Sequence, residues 1–114
     1  MQVSSFNEVV DFNDHRVKTS VILESSFSKE IRILFKKGQV MKEHKTPYPI
    51  IIHLIKGQID FGVEGVIHTL KEGDILSLDG GIPHDLTAKD ESIVRLTLSK
   101  LDQAERVEKV AASS

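Results

Sequence analysis

The 114-residue chain contains no cysteine. That excludes a thiolate metal site, a cysteine nucleophile and a disulfide framework, and it favours a reducing compartment. It also lacks any long apolar run. The longest, Ile50 to Ile55, is interrupted by His53, well short of the roughly 18 residues that span a bilayer, so no membrane insertion is expected. The opening MQVSSFNEVVDFNDHR has no basic start followed by an apolar stretch, which argues against a secretory signal and for a cytoplasmic location. Neither sign of charge dominates: fifteen basic and seventeen acidic residues give a net charge of −2. With its lysines scattered among acids, the chain is not expected to bind nucleic acid. Gly-x-Ser-x-Gly, Gly-x-x-x-x-Gly-Lys-Ser/Thr and Gly-x-Gly-x-x-Gly are all missing, which sets aside the chemistries those motifs serve.

What is present is the composition of one globular domain, 39% hydrophobic and 28% charged, large enough to bury a single core without disulfides. The dominant pattern is alternation with period two, broken by glycines and charged pairs, which predicts short strands. Val17, Thr19, Val21 and Leu23 mark one strand face; Ile31, Ile33 and Phe35 mark another, ending at Lys37-Gly38. Ile50 to Lys56 reads as a β-branched strand stopped at Gly57. Ile59-Phe61-Val63 and Val66 to Leu70 read as a hairpin around Glu64-Gly65. A turn at Lys71 to Asp74 precedes a strand from Ile75 to Leu78, and Ile93 to Leu98 closes the series. Strands at this density, with no long helical segment, predict an all-β barrel or sandwich. Only LDQAERVEKVAASS reads as helical, with Asp102 and Glu105 as a capping box and Leu101, Ala104, Val107 and Ala111 on one face. The chain therefore divides into residues 1–100 as one domain and 101–114 as a short helical or mobile tail.

The stretch GQVMKEHKTPYPIIIHLIKGQ carries a family likeness. Gly38 leads by five residues to His44, and Gly57 closes the segment. Further on, Gly73-Asp74, Gly81 and His84 fall at the spacing of a second motif. In these two motifs the chain resembles the cupins, and among them the small stand-alone bacterial members whose metal motif is degenerate. The resemblance implies a double-stranded β-helix, or jelly-roll, barrel over residues 1–100 and a homodimer. It also has departures. Thr46 stands where the family has its second histidine, Ile50 where it has glutamate, Asp79 replaces the motif proline and Ala88 the asparagine. Two of the four metal ligands that the resemblance implies are missing.

Strand alternation places His44 and Thr46 on one face, joined by Ile50 and Ile52 if the Pro47-Tyr48-Pro49 break keeps register. By the resemblance that face lines the barrel interior, where His84 arrives from the second motif. The expected ligand pocket is thus His44, Thr46, Ile50, Ile52 and His84: two imidazoles, a hydroxyl and apolar walls. Two imidazoles alone hold a metal weakly, since catalytic transition-metal sites use at least three protein ligands. The threonine hydroxyl is a poor third, being neutral. The leading expectation is a small-molecule pocket without a cofactor. The alternatives are a divalent iron, manganese, nickel or zinc ion weakly held by His44 and His84 in a dioxygenase- or isomerase-like enzyme, or a dimeric interaction module. The two histidines either hydrogen-bond inside the barrel, contact or exchange protons with a ligand, or hold that metal.

Parity directs His53, Glu43 and Asp85 away from the interior. His53 is read as a sheet-surface or dimer-interface residue, His68 and His15 as solvated, and Tyr48 as a rim contact. The parity of Arg95 within its strand is left open, with a surface role favoured.

Overall fold

A computed structural model of the chain describes residues 1–100. Its strands are β1 (Lys18–Glu24), β2 (Ser28–Phe35), β3 (Val40–His44), β4 (Ile50–Lys56), β5 (Gln58–Val63), β6 (Val66–Lys71), β7 (Ile75–Leu78), β8 (His84–Ala88) and β9 (Ser92–Ser99). No helix occurs among the described residues, and none there is long and apolar enough to cross a membrane. The expected C-terminal helix falls on residues 101–114, outside the described residues.

The strands pair antiparallel in two sheets, ordered β1-β2-β9-β4-β7 and β3-β8-β5-β6. This is the jelly-roll architecture that the resemblance implies, within the barrel or sandwich class that the alternation predicts, with each sheet turning one apolar face to the other. In the five-stranded sheet the inward rows are set by register: Ile31 opposite Leu96, itself opposite Ile52, and Ile33 opposite Val94, itself opposite Leu54. The four-stranded sheet answers with Phe61 opposite Leu86 and Ile59 opposite Ala88 and Leu70. Phe35, Leu54 and Ile59 are fully buried in this cluster. Each such side chain contributes about 1.5–3 kcal/mol relative to an exposed one.

Only Gly57 separates β4 from β5, yet the two strands belong to different sheets. The chain turns that corner at a φ of 94°, a conformation that carries a penalty for any residue with a Cβ. A Cβ there would also strike the Glu91 carbonyl and the Ser92 hydroxyl. Ser92 is itself completely buried. Its hydroxyl accepts from the Gln58 amide at 3.1 Å and lies 2.8 Å from the Asp90 carbonyl, to which it donates. The corner is thereby clamped between the two ends of the neighbouring β8–β9 connection.

The outer face of the five-stranded sheet resolves the open parity of Arg95. It points outward, and its Nε donates to Glu30 Oε1 at 2.9 Å. Ser28 donates to the other carboxylate oxygen at 2.8 Å, and Thr97 donates to Oε1. Burial works against ionisation of Glu30, but the hydrogen bonds from Thr97, Ser28 and Arg95, together with the Arg95 charge, outweigh it and hold the carboxyl below its ordinary range.

Candidate functional site

At one end of the barrel, β3 and β8 bring His44 and His84 directly opposite each other. Simple alternation along β3 would not do so. Met41 pairs with Leu86 on the inner face, and His44, three residues later, would point outward in a regular strand. A register shift between Met41 and His44 inserts one extra residue on β3 and returns His44 to the inner side. The same bulge leaves Glu43 outside, where it lines a surface cavity of about 380 Å³ with Asp85. Both carboxylates lie away from the interior, in agreement with their expected parity.

The ring centroids of His44 and His84 lie 4.5 Å apart with planes at 60°. On its other side, His84 stacks on Phe61 at 5.5 Å and 19°. His84 is only 3% exposed, whereas His44 is open to solvent. Each ring is anchored in the same way: Nδ1 of His44 lies 2.8 Å from the Lys42 carbonyl, and Nδ1 of His84 lies 2.9 Å from that of Ile82. A carbonyl can only accept, so both Nδ1 atoms carry the hydrogen. In the neutral rings both Nε2 atoms then present a lone pair. Fixing one ring nitrogen to a backbone carbonyl in order to orient the other is how proteins prepare an imidazole for a ligand. Among the described residues, only Arg32 has buried side-chain polar atoms without a partner, so Nε2 of His84 is not sealed from solvent.

Thr46 lies beyond the end of β3, outside the strand face that alternation alone would give it. Its hydroxyl donates to the Tyr48 carbonyl at 2.9 Å. It lines a separate cavity of about 290 Å³ with Lys29, Pro47, Tyr48, Leu98 and Lys100. The loop carrying it is latched to the 80–81 turn: the Gly81 amide donates to the Thr46 carbonyl at 2.7 Å, and Gly80 packs so closely on the Pro47 carbonyl that no Cβ fits. Ile50 and Ile52 are each 2% exposed and belong to the opposing sheet, paired with Leu98 and Leu96. They face the interior as expected, but as packed core.

His53 lies on the outer face opposite Arg95, and His68 and His15 are exposed. The donors at the barrel end are thus two imidazole nitrogens, with Thr46 engaged by Tyr48 and Ile50 apolar. Among the described residues, no group of three or more histidines, cysteines, aspartates and glutamates gathers in a way that could hold a metal ion. This set falls short of a resident catalytic metal, which needs at least three protein ligands. Phe61 and the Lys42 and Ile82 carbonyls are the parts that sequence reasoning missed. Only the alternation of β5 hinted at the first, and nothing in the residue types marks the other two.

Comparison with known proteins places this geometry. A family model described as "Cupin domain" matches residues 31–100, more than half of the chain. No curated protein matches. Among solved structures, the chain is similar to an RmlC-like cupin protein from Desulfovibrio desulfuricans, with a TM-score of 0.80 and 24% identity, covering 87% of this chain and 96% of that one. It is similar also to KdgF from Halomonas sp., with a TM-score of 0.75 and 18% identity over 87% and 94% of the two chains. A third is an uncharacterised conserved protein with a double-stranded β-helix domain from Klebsiella pneumoniae, with a TM-score of 0.75, 22% identity and coverage of 87% and 89%. At these identities the structures speak for the fold alone. With the family model spanning β3 to β9 and the paired motif histidines between them, the chain belongs to the cupin domain family.

Proposed function

We propose that this cupin binds a small organic molecule through the His44–His84 pair, using the two Nε2 atoms as acceptors for hydroxyl or amine hydrogens of the ligand. The observation that carries this reading is the shared anchoring of both Nδ1 atoms to backbone carbonyls, which leaves two orientated lone pairs on adjacent rings. His44 meets the ligand first because it is exposed, and His84 stands behind it against Phe61. Ile50 and Ile52 lie in the packed core with Phe61, and Thr46 holds the loop beyond β3 through Tyr48. Few polar groups on an apolar scaffold is the usual design of such sites. A chain without cysteine is also suited to work in a reducing compartment.

A thermal-shift screen of polyols, sugars and amines tests the reading, because a ligand that binds only the folded state raises the melting temperature. At least one class should stabilise the wild type and lose its effect in His44→Ala. A screen in which no hydroxyl- or amine-bearing compound depends on His44 defeats the proposal. The second reading is a metal-dependent cupin enzyme, in which the same two nitrogens would need water or substrate to complete the metal's shell. Stoichiometric metal in protein purified without a histidine tag, lost in His44→Ala, would put that reading first.

A further inference from the structure

We infer that the cavity beside the Thr46–Tyr48 loop takes a small organic acid, its carboxylate on Lys29 and its apolar body against Pro47, Tyr48 and Leu98. The inference is independent of the ligand reading at the two histidines. β2 runs against β9 without a register shift, so Lys29 shares the inward row of Ile31, Ile33 and Phe35 and lies opposite Leu98. That row is apolar except at this first position. A lysine there sets an ammonium group at the edge of a hydrocarbon wall, a placement that a charge-assisted hydrogen bond to an anion stabilises.

The nearest carboxylate of the chain does not meet that need. Glu24 is the cross-strand partner of Lys29, yet it lies 2.9 Å from Lys100 Nζ and 3.7 Å from Lys29 Nζ. Lys100 donates to Glu24 and also to the Ser25 carbonyl, at 2.8 Å. The Lys29 contact is too long for a hydrogen bond, and its side chain is 37% exposed. One carboxylate thus answers two ammonium groups, and Lys29 is the one left with donors to offer.

The cavity itself, of about 290 Å³, has Lys29 and Lys100 on its lining and no acidic residue. Its Thr46 hydroxyl already donates to the Tyr48 carbonyl, so the ammonium of Lys29 is left to choose the ligand. The loop wall is preset, because the Gly81 amide holds the Thr46 carbonyl and Gly80 packs on that of Pro47. A ligand entering a preset wall pays little to order it. The volume lies at the small end for organic ligands, which fits an acid with a single ring or a short branched chain. By contrast, the cavity that carries Glu43, Glu64 and Asp85 repels any such anion.

Benzoate and its neutral ester, methyl benzoate, are the probes, titrated into the full chain at about pH 8, where imidazoles are neutral. Neither probe carries a hydrogen for the histidine Nε2 acceptors, so the outcome does not depend on that site. Benzoate should shift the amide resonances of residues 46, 48, 98 and 99 and bind at least about tenfold more tightly than the ester. Lys29→Met should weaken benzoate about tenfold, and Lys29→Arg should retain it. If Lys29→Met fails to fold, the comparison of acid with ester decides. Absent benzoate binding, an ester that binds as tightly, affinity undiminished in Lys29→Met, or inorganic phosphate matching benzoate overturns the inference.

Discussion

His44 and His84 are direct cross-strand partners with ring centroids 4.5 Å apart, and each is tethered through Nδ1 to the carbonyl two residues before it. The pair is therefore orientated by backbone geometry rather than by another side chain. Two adjacent imidazoles presenting the same nitrogen make a surface for donors, which is why the ligand reading names hydroxyls and amines.

The tethering predicts a tautomer. Long-range proton–nitrogen correlation spectra of the neutral rings should find hydrogen on Nδ1 in both His44 and His84. Hydrogen on Nε2 of either ring would remove the acceptor pair on which the proposed binding rests.

Phe61 supports His84 from behind and is 1% exposed. Phe61→Ala should cost about 3–5 kcal/mol in urea unfolding. The more conservative Phe61→Leu should fold and move the His84 ring resonances downfield as the stacked ring is lost. Unchanged His84 shifts in Phe61→Leu would contradict the stacking.

Gly80 has no room for a methyl group because the obstruction is the Pro47 carbonyl, a backbone atom that cannot rotate away. Gly80→Ala should destabilise by about 1–3 kcal/mol, a typical cost of forcing extra volume into a packed site. Amide shifts should change in residues 45–49, where the latch is broken. A stability equal to wild type would show that the two loops are not in contact in solution.

Glu30 gives a pH dependence with a definite sign. Its carboxyl is held below the ordinary value of 4.5 in the folded chain, so its contribution is complete above that value and fades as pH falls through the lowered one. Glu30→Gln should cost about 1–3 kcal/mol near neutral pH. The gap between mutant and wild type should narrow as both are unfolded at progressively lower pH. A gap that widened on acidification would reverse the assignment.

Much of the fold was legible because alternation is a local property. Ile50 to Lys56 has the bounds read from its β-branched run, and the Glu64-Gly65 turn joins β5 to β6. The outward placement of His53 and Asp85 followed from parity, whereas that of Glu43 depends on the bulge that turns His44 inward. Less legible was anything set by pairing. Parity from Met41 would have turned His44 outward, and only the bulge against β8 corrects it. Thr46 resembled a site residue in spacing, but the strand ends before it and the hydroxyl is committed to Tyr48. The partners that fix the histidine tautomers are backbone carbonyls, which residue identity does not encode. Arg95 stayed open until Glu30, 65 positions away, was brought beside it.

The strand order has a last consequence, for how the chain can come apart. One sheet holds β1, β2, β9, β4 and β7 and the other β3, β8, β5 and β6, so the chain crosses repeatedly between the sheets and neither sheet is a continuous piece of it. A cut at any connection from β3–β4 to β7–β8 divides both sheets between the fragments, and neither fragment then retains a complete layer. Such a topology makes folding wait on distant partners, and it confers an all-or-none character: a protease that nicks one of these connections and releases the fragments dismantles the histidine end of the barrel and the far end together.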